Sequence, residues 1–262
     1  MKINLERGLL NNNYNQENLS KIYNINDYKN SLNIIENKIS LSYNNYLEIS
    51  DEYSPAFIFL LEKFKEGNFL SENDFYSMLT YHSAIINNKN LYVYNYNFNS
   101  LHNIKWTEKF DFIFSFIGIK YKDLFEKLPL FISFLKVNGF LAFIIPSYWF
   151  DRENLNESES LILEYSRKTD KQWLFTESID NIVKENKAEI VSLEKINMVY
   201  NFSRIKIARL SSLEKLYNAC LEKNHAILDI CNIPEENLNL NLSVLIINKK
   251  TKSITKDNLF NI

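Results

Sequence analysis

Glycine and proline are scarce in this chain of 262 residues, which contains four of each. Because glycine makes up about 7% of an average protein, functions that need a glycine-rich phosphate-binding loop are disfavoured. No P-loop occurs in the sequence, nor does the pattern GxGxxG. The two cysteines, Cys220 and Cys231, are too few for a disulfide scaffold or a cysteine-rich zinc site. The three histidines are scattered, so we predict no metal cluster.

An excess of positive charge and a long apolar run are also missing. Lysine plus arginine number 30 and aspartate plus glutamate 32, for a formal net charge of −2. This balance excludes a strongly basic nucleic-acid binder, although it leaves room for a local basic patch. No run reaches the ~18 apolar residues of a membrane helix, and Met1–Leu10 lacks the apolar core of a secretory signal. We therefore predict a cytoplasmic protein with no membrane span.

Asparagine and aromatic residues are abundant instead, with 38 asparagines and 15% aromatic residues. Together with the excess of lysine and isoleucine, this composition is typical of an AT-rich genome. Hydrophobic residues make up 46% of the chain, enough for one large core. Since aromatic residues fill interfaces as readily as cores, a homo-oligomer or a protein partner stays open.

Strand-like and helix-like segments alternate along most of the chain. Apolar residues at helical spacing in 1–43 predict two short packed helices, with a flexible tail as the alternative for the first 15 residues or so. The predicted strands are 46–49, 68–72, 90–98, 109–119, 140–146, 188–196 and 242–248, with helices at 56–65, 74–86 and 124–137. Asn138-Gly139 is expected to end the last of these helices as a left-handed cap. The alternation predicts an α/β fold with a mostly parallel sheet and helices on both faces.

Several motifs resemble those of the class I S-adenosylmethionine-dependent methyltransferases, a family with a Rossmann-like fold. The segment KFDFIF at 109–114 is similar to the family's F-D-x-I fourth strand, and LKVNGFLAF at 135–143 is similar to its L-K-P-G-G-x-L turn into the fifth strand. The segment EISDEYS at 48–54 stands at the place of the family's E/D-x-G-x-G-x-G loop. The resemblance implies a domain at 44–250 with an antiparallel edge hairpin, an insertion at about 197–241, and a polar tail at 251–262.

The resemblance also implies a site for S-adenosylmethionine. The motif acid is Glu48, the glycine positions hold Ser50, Glu52 and Ser54, and Glu72 stands where the family's acid accepts from the ribose hydroxyls. The remaining implied positions, near the adenine and the methyl acceptor, are Asn97 and Ser115. Because the methyl group passes in line to a nucleophile, the protein mainly positions the reactants and excludes water. No catalytic residue is therefore assigned, and the acceptor is unknown.

The departures from the family pattern leave a second function open. Glu52 adds bulk and negative charge at a loop position where glycine lets the backbone approach the cofactor. The chain could therefore be an inactive methyltransferase fold that serves as a binding or assembly partner. A DNA adenine methyltransferase is disfavoured because FSFIG at 114–118 replaces the expected N/D-P-P-Y/F motif. A nucleotide-binding enzyme of another Rossmann-like family is disfavoured because its glycine patterns are missing.

Overall fold

A single seven-stranded sheet with the order β3-β2-β1-β4-β5-β7-β6 organises the protein. The structure, a computed structural model, describes residues 25–41, 44–50, 53–119, 121–151, 153–160, 176–203 and 237–251. The strands are β1 Asn45–Ile49, β2 Glu66–Ser71, β3 Leu91–Asn95, β4 Phe110–Phe116, β5 Leu135–Pro146, β6 Ala188–Ser203 and β7 Asn237–Lys249. Strands β1 to β5 pair in parallel, whereas β7 pairs antiparallel with both β5 and β6. The predicted α/β fold with an antiparallel edge hairpin is confirmed.

Helices cover both faces of this sheet, as the alternating pattern predicts. The described helices are α1 Ile25–Glu36, α2 Phe57–Leu60, α3 Asp74–Ile86, α4 Tyr121–Phe134 and α5 Thr176–Glu185. One apolar cluster joins α1, α2 and α3 to one face of the sheet, and a second joins α4 and α5 to the other. Because side chains alternate along a strand, Tyr46 of β1 belongs to the first cluster and Leu47 to the second. Of the two short helices that the periodicity of 1–43 predicts, the described residues show one, α1, and residues 1–24 lie outside the described part.

The junction between α4 and β5 differs from the prediction. Helix α4 ends at Phe134 and β5 begins at the next residue, so Asn138 and Gly139 lie inside the strand and do not cap the helix. Asn138 takes the left-handed conformation, with φ 64°. A side chain at position 139 would come within 2.9 Å of the Lys136 carbonyl oxygen and 3.0 Å of that of Asp111. Gly139 is therefore required by the close approach of β4 to an irregular part of β5, where the register shifts.

The edge hairpin is longer than its sequence pattern indicates. Strands β6 and β7 stay paired as far as Ser203 and Asn237, whereas β5 pairs with β7 only as far as Leu242. The hairpin therefore extends beyond the carboxyl end of β5 and into the predicted insertion at 197–241 from both sides. Residues 204–236 lie outside the described part. No helix in the described part is long and apolar enough to cross a membrane.

Candidate functional site

The candidate site lies at the carboxyl edge of the parallel strands. In an open α/β sheet, ligands bind at this edge, at the point where the strand order reverses. Here that point is between β1 and β4, because β2 and β3 lie to one side of β1 and β4 and β5 to the other. Six of the seven predicted residues are described and lie at or just beyond the strand ends: Glu48, Ser50, Ser54, Glu72, Asn97 and Ser115. The seventh, Glu52, lies outside the described residues.

Glu48 is fully buried near the end of β1, with 0% of its surface exposed. It stands in register with Phe69 of β2 and Phe114 of β4. Neither carboxylate oxygen makes a well-formed hydrogen bond within the described part of the chain. Burial raises the pKa of Glu48 to about 8, although the Ser54 hydroxyl opposes that shift. The carboxyl group therefore keeps its proton at neutral pH, since burial disfavours the charged form.

Two tyrosines complete the surroundings of Glu48 and are neutral as well. The Tyr53 hydroxyl lies 2.9 Å from the Ser83 hydroxyl of α3, and both groups are buried. Burial raises the pKa of Tyr53 to about 12, and the charge of Glu48 adds to that shift. Burial and Glu48 likewise raise the pKa of Tyr46, whose hydroxyl has no hydrogen-bond partner among the residues that the structure describes. Glu48 thus lies among neutral phenols.

Ser50 shows how serine is accommodated at a position where the family has glycine. A Cβ atom at Gly118 would lie 2.3 Å from the Ser50 hydroxyl oxygen and 2.8 Å from the Ser50 Cα. The loops that follow β1 and β4 are therefore in direct contact. The Ser50 backbone N–H donates to the Leu70 carbonyl at 3.0 Å. The contact holds Ser50 at the end of β1 and requires glycine at position 118.

Ser54 lies at the start of the next helical segment. Its hydroxyl accepts a hydrogen bond from the Ala56 backbone N–H at 3.3 Å, and the residue is buried. Because the same hydroxyl lowers the pKa of Glu48, Ser54 connects the buried carboxyl group to the loop between β1 and α2. The structure therefore brings Glu48 and Ser54 together, as the motif implies.

Glu72 follows β2 directly and is half-buried. One carboxylate oxygen accepts from the Phe98 backbone N–H at 2.6 Å, which attaches the loop after β3 to the end of β2. The other oxygen has no partner among the described residues. Asn97 is exposed, and its carbonyl accepts from Ser100 at the start of a short 3-10 turn. Glu72 therefore has an unused acceptor at the carboxyl edge, beside the loop that carries Asn97.

Ser115 lies at the same edge but points to the other face of the sheet. Because Glu48 is in register with Phe114, the next residue of β4 projects in the opposite direction. The Ser115 hydroxyl is buried and has no hydrogen-bond partner in the described ranges. Ser115 thus lies one position beyond the residue of β4 that pairs with Glu48, and the two side chains lie on opposite faces of the sheet.

Two features of the site are missed by sequence reasoning. The contact between the Tyr53 and Ser83 hydroxyls joins residues 30 positions apart, and no local sequence pattern predicts it. Gly118 does carry a signal, because it is one of four glycines and lies close to the end of the predicted buried strand 109–119. Glycine in such a place indicates a close approach of backbones, which is what the structure shows.

Comparisons with known proteins support the fold. No model of a protein family matches the chain, and no curated protein matches it either. Among solved structures, an S-adenosylmethionine-dependent methyltransferase from Clostridium acetobutylicum ATCC 824 is 11% identical, covers 90% of this chain and 99% of its own, and has a TM-score of 0.53. A candidate methyltransferase from Bacillus halodurans C-125 is 11% identical, covers 86% of this chain and 100% of its own, and has a TM-score of 0.58.

A third similar structure widens the range of chemistry found on this fold. A protein described as a cyclase is 8% identical, covers 86% of this chain and 81% of its own, and has a TM-score of 0.52. The chain therefore has the Rossmann-like fold of the class I methyltransferases. Because one fold supports several reactions, the function is argued below from the site itself.

Proposed function

We propose that this protein is an S-adenosylmethionine-dependent methyltransferase. The observation that carries the proposal is the half-buried carboxylate of Glu72 at the end of β2, one oxygen of which has no partner among the described residues. The cofactor has a ribose with two hydroxyl donors and a net positive charge, so a carboxylate acceptor at this place fits it. When bound, it supplies an activated methyl group on a sulfonium centre.

The other site residues support the same assignment. Ser50 and Ser54 lie in the loop after β1, where they would flank the methionine end of the cofactor. Asn97 follows β3 and Ser115 lies near the end of β4, where they would lie near the adenine and the methyl acceptor. The contribution of the chain would be to position the two reactants and exclude water. The acceptor is unidentified, and the cytoplasm stays the location that the sequence predicts.

One observation favours the alternative, an inactive methyltransferase fold that acts as a binding or assembly partner. The Ser50 side chain fills the space beside Gly118, so the loops after β1 and β4 touch. In a sheet of this order the ligand crevice lies outside these strand ends. A crevice closed by this contact would leave the fold intact and the cofactor unbound.

Calorimetry with S-adenosylmethionine tests the proposal. We expect micromolar affinity for the wild-type protein, about −8 kcal/mol for a 1 μM dissociation constant. Glu72→Gln should weaken binding about tenfold or more, because an amide replaces the charged acceptor while its oxygen still accepts from Phe98. Glu66→Gln is the matched control, since Glu66 begins the same strand at the opposite edge of the sheet. No heat and no thermal shift at millimolar ligand would support the binding-partner alternative.

A further inference from the structure

We propose that binding of S-adenosylmethionine to this protein releases a proton from Glu48, so that the affinity for the cofactor increases with pH. The inference rests on the proposed function and adds to it a form of regulation at the same site. Its structural basis is a carboxyl group that is fully buried near the end of β1 and has no well-formed hydrogen bond to any described residue. A buried carboxylate needs a cation or several donors to be stable.

The described groups around Glu48 supply no such cation. Strands β2 and β4 place Phe69 and Phe114 opposite it. The titratable groups that interact with it are Tyr46, from its own strand, and Tyr53, whose hydroxyl is held by the α3 hydroxyl group of Ser83. Within the described ranges, no lysine, arginine or histidine contributes to the pKa of Glu48.

The loop that follows β1 connects Glu48 to the proposed cofactor site. Ser54 belongs to that loop, and its hydroxyl is the group that favours the ionised form of Glu48. Two further acids of the loop, Asp51 and Glu52, lie outside the described residues. A ligand with a net positive charge in this crevice would favour the carboxylate, because the attraction between opposite charges is strong where water is excluded.

Proton release and affinity are then linked. If the bound cofactor favours the carboxylate, it lowers the pKa of Glu48 from its value of about 8, and the proton leaves to the solvent. By linkage, the cofactor must bind more tightly at a pH where Glu48 is already ionised. A decrease of one pKa unit on binding corresponds to a tenfold change in affinity.

Calorimetric titration with S-adenosylmethionine in phosphate and in Tris tests the inference on the full chain. We expect affinity about tenfold higher near pH 9 than near pH 6.5, with a difference in heat between the two buffers that reports the released proton. Glu48→Gln should remove the contribution of Glu48 to both effects, because its amide resembles the neutral acid and cannot ionise. What remains in the variant is the contribution of the cofactor's own α-ammonium group, since such groups have a pKa of about 7.7–8.0. Glu66→Gln should keep both.

A second measurement needs no cofactor. Glutamate has a pKa of about 4.3 in an unfolded chain, whereas that of Glu48 is about 8 in the folded protein. The folded state therefore holds the extra proton between these values, and the stability of the wild-type protein should decrease as pH increases from about 5 to 8. Glu48→Gln should reduce this slope in urea unfolding, and Glu66→Gln should leave it as in the wild type.

The outcomes separate the two proposals. Binding of S-adenosylmethionine with no pH dependence and no proton exchange would overturn the inference about Glu48 and leave the proposed function in place. Absence of binding at every pH would overturn the proposed function and this inference with it. If Glu48→Gln does not fold, the buffer dependence of the wild-type heat still decides whether a proton is released.

Discussion

At the scale of single residues, Gly118 and Ser50 determine how the two loops at the candidate site meet. Gly118 has no room for a side chain because the Ser50 hydroxyl, Cβ and Cα all lie closer than 3.0 Å to where its Cβ would be. The preceding residue, Ile117, has φ 50°, a conformation that is strained for a β-branched side chain. The turn after β4 is thus held by its contacts, and the contact with Ser50 is one of them.

A pair of substitutions tests this contact. Gly118→Ala should lower the free energy of unfolding by about 1–3 kcal/mol, because the new methyl group overlaps Ser50. Ser50→Gly removes the overlapping hydroxyl and Cβ atoms, so the double variant should recover part of the loss. Urea unfolding of the wild-type protein, both single variants and the double variant measures the coupling. Strictly additive effects would show that the two loops do not touch in solution.

At the scale of elements, the end of α4 is capped by a side chain from a distant strand. Helix α4 passes into β5 without a connecting loop. The fully buried Lys249 of β7 donates to the Leu135 carbonyl at 2.7 Å and lies 3.4 Å from the Ser133 carbonyl oxygen. Its ammonium group also lies 3.5 Å from a Glu108 carboxylate oxygen. A cation at the carbonyl end of a helix is favourable, and here it replaces the predicted glycine cap.

The neighbouring lysine provides a matched control for this cap. Lys249→Met should lower the free energy of unfolding by about 2–3 kcal/mol, because buried carbonyls lose a charged donor. Lys250, whose side chain is 47% exposed, forms an ion pair with Glu189. Lys250→Met should change the free energy by less than about 1 kcal/mol, as exposed ion pairs contribute little. Equal effects in denaturant unfolding would contradict a capping role for Lys249.

At the scale of the whole molecule, α1 is part of the main core and packs close to the candidate site. The ring of Tyr28 lies 4.4 Å from that of Phe116, at the carboxyl end of β4. Phe116 in turn meets Tyr200 of the hairpin extension at 5.7 Å between ring centroids. Helix α1, the central sheet and the edge hairpin therefore share one apolar cluster.

This shared cluster predicts a single cooperative unfolding transition. Leu32 of α1 is 2% exposed, so Leu32→Ala should lower the free energy of unfolding by about 2–5 kcal/mol through the cavity it leaves. The whole transition should move, whether it is followed by helical circular dichroism or by tryptophan fluorescence. Lys29→Ala changes an exposed residue of the same helix and should have little effect. A separate early transition of the helix signal would show that α1 unfolds independently.

The sequence by itself determined the order of strands and helices and the position of the acids. Each of these follows from local patterns: the buried run in 109–119, the helical spacing in 74–86, and the acids Glu48 and Glu72 at the ends of predicted strands. The spacing of apolar residues along a segment decides whether it forms a helix or a strand and which of its faces is buried. The resemblance in 109–114 and 135–143 then indicated the fold that the strand order confirms.

Only the tertiary structure decided how these elements contact one another and which acid keeps its proton. The cap of α4 comes from a lysine 114 residues away from the carbonyl it binds, and the partner of Tyr53 lies 30 residues further along the chain. The proton on Glu48 depends on burial between β2 and β4, which a motif does not report. The burial of a side chain and the choice of its partner depend on residues that folding brings together from different segments. They therefore cannot be read from any one segment of the sequence.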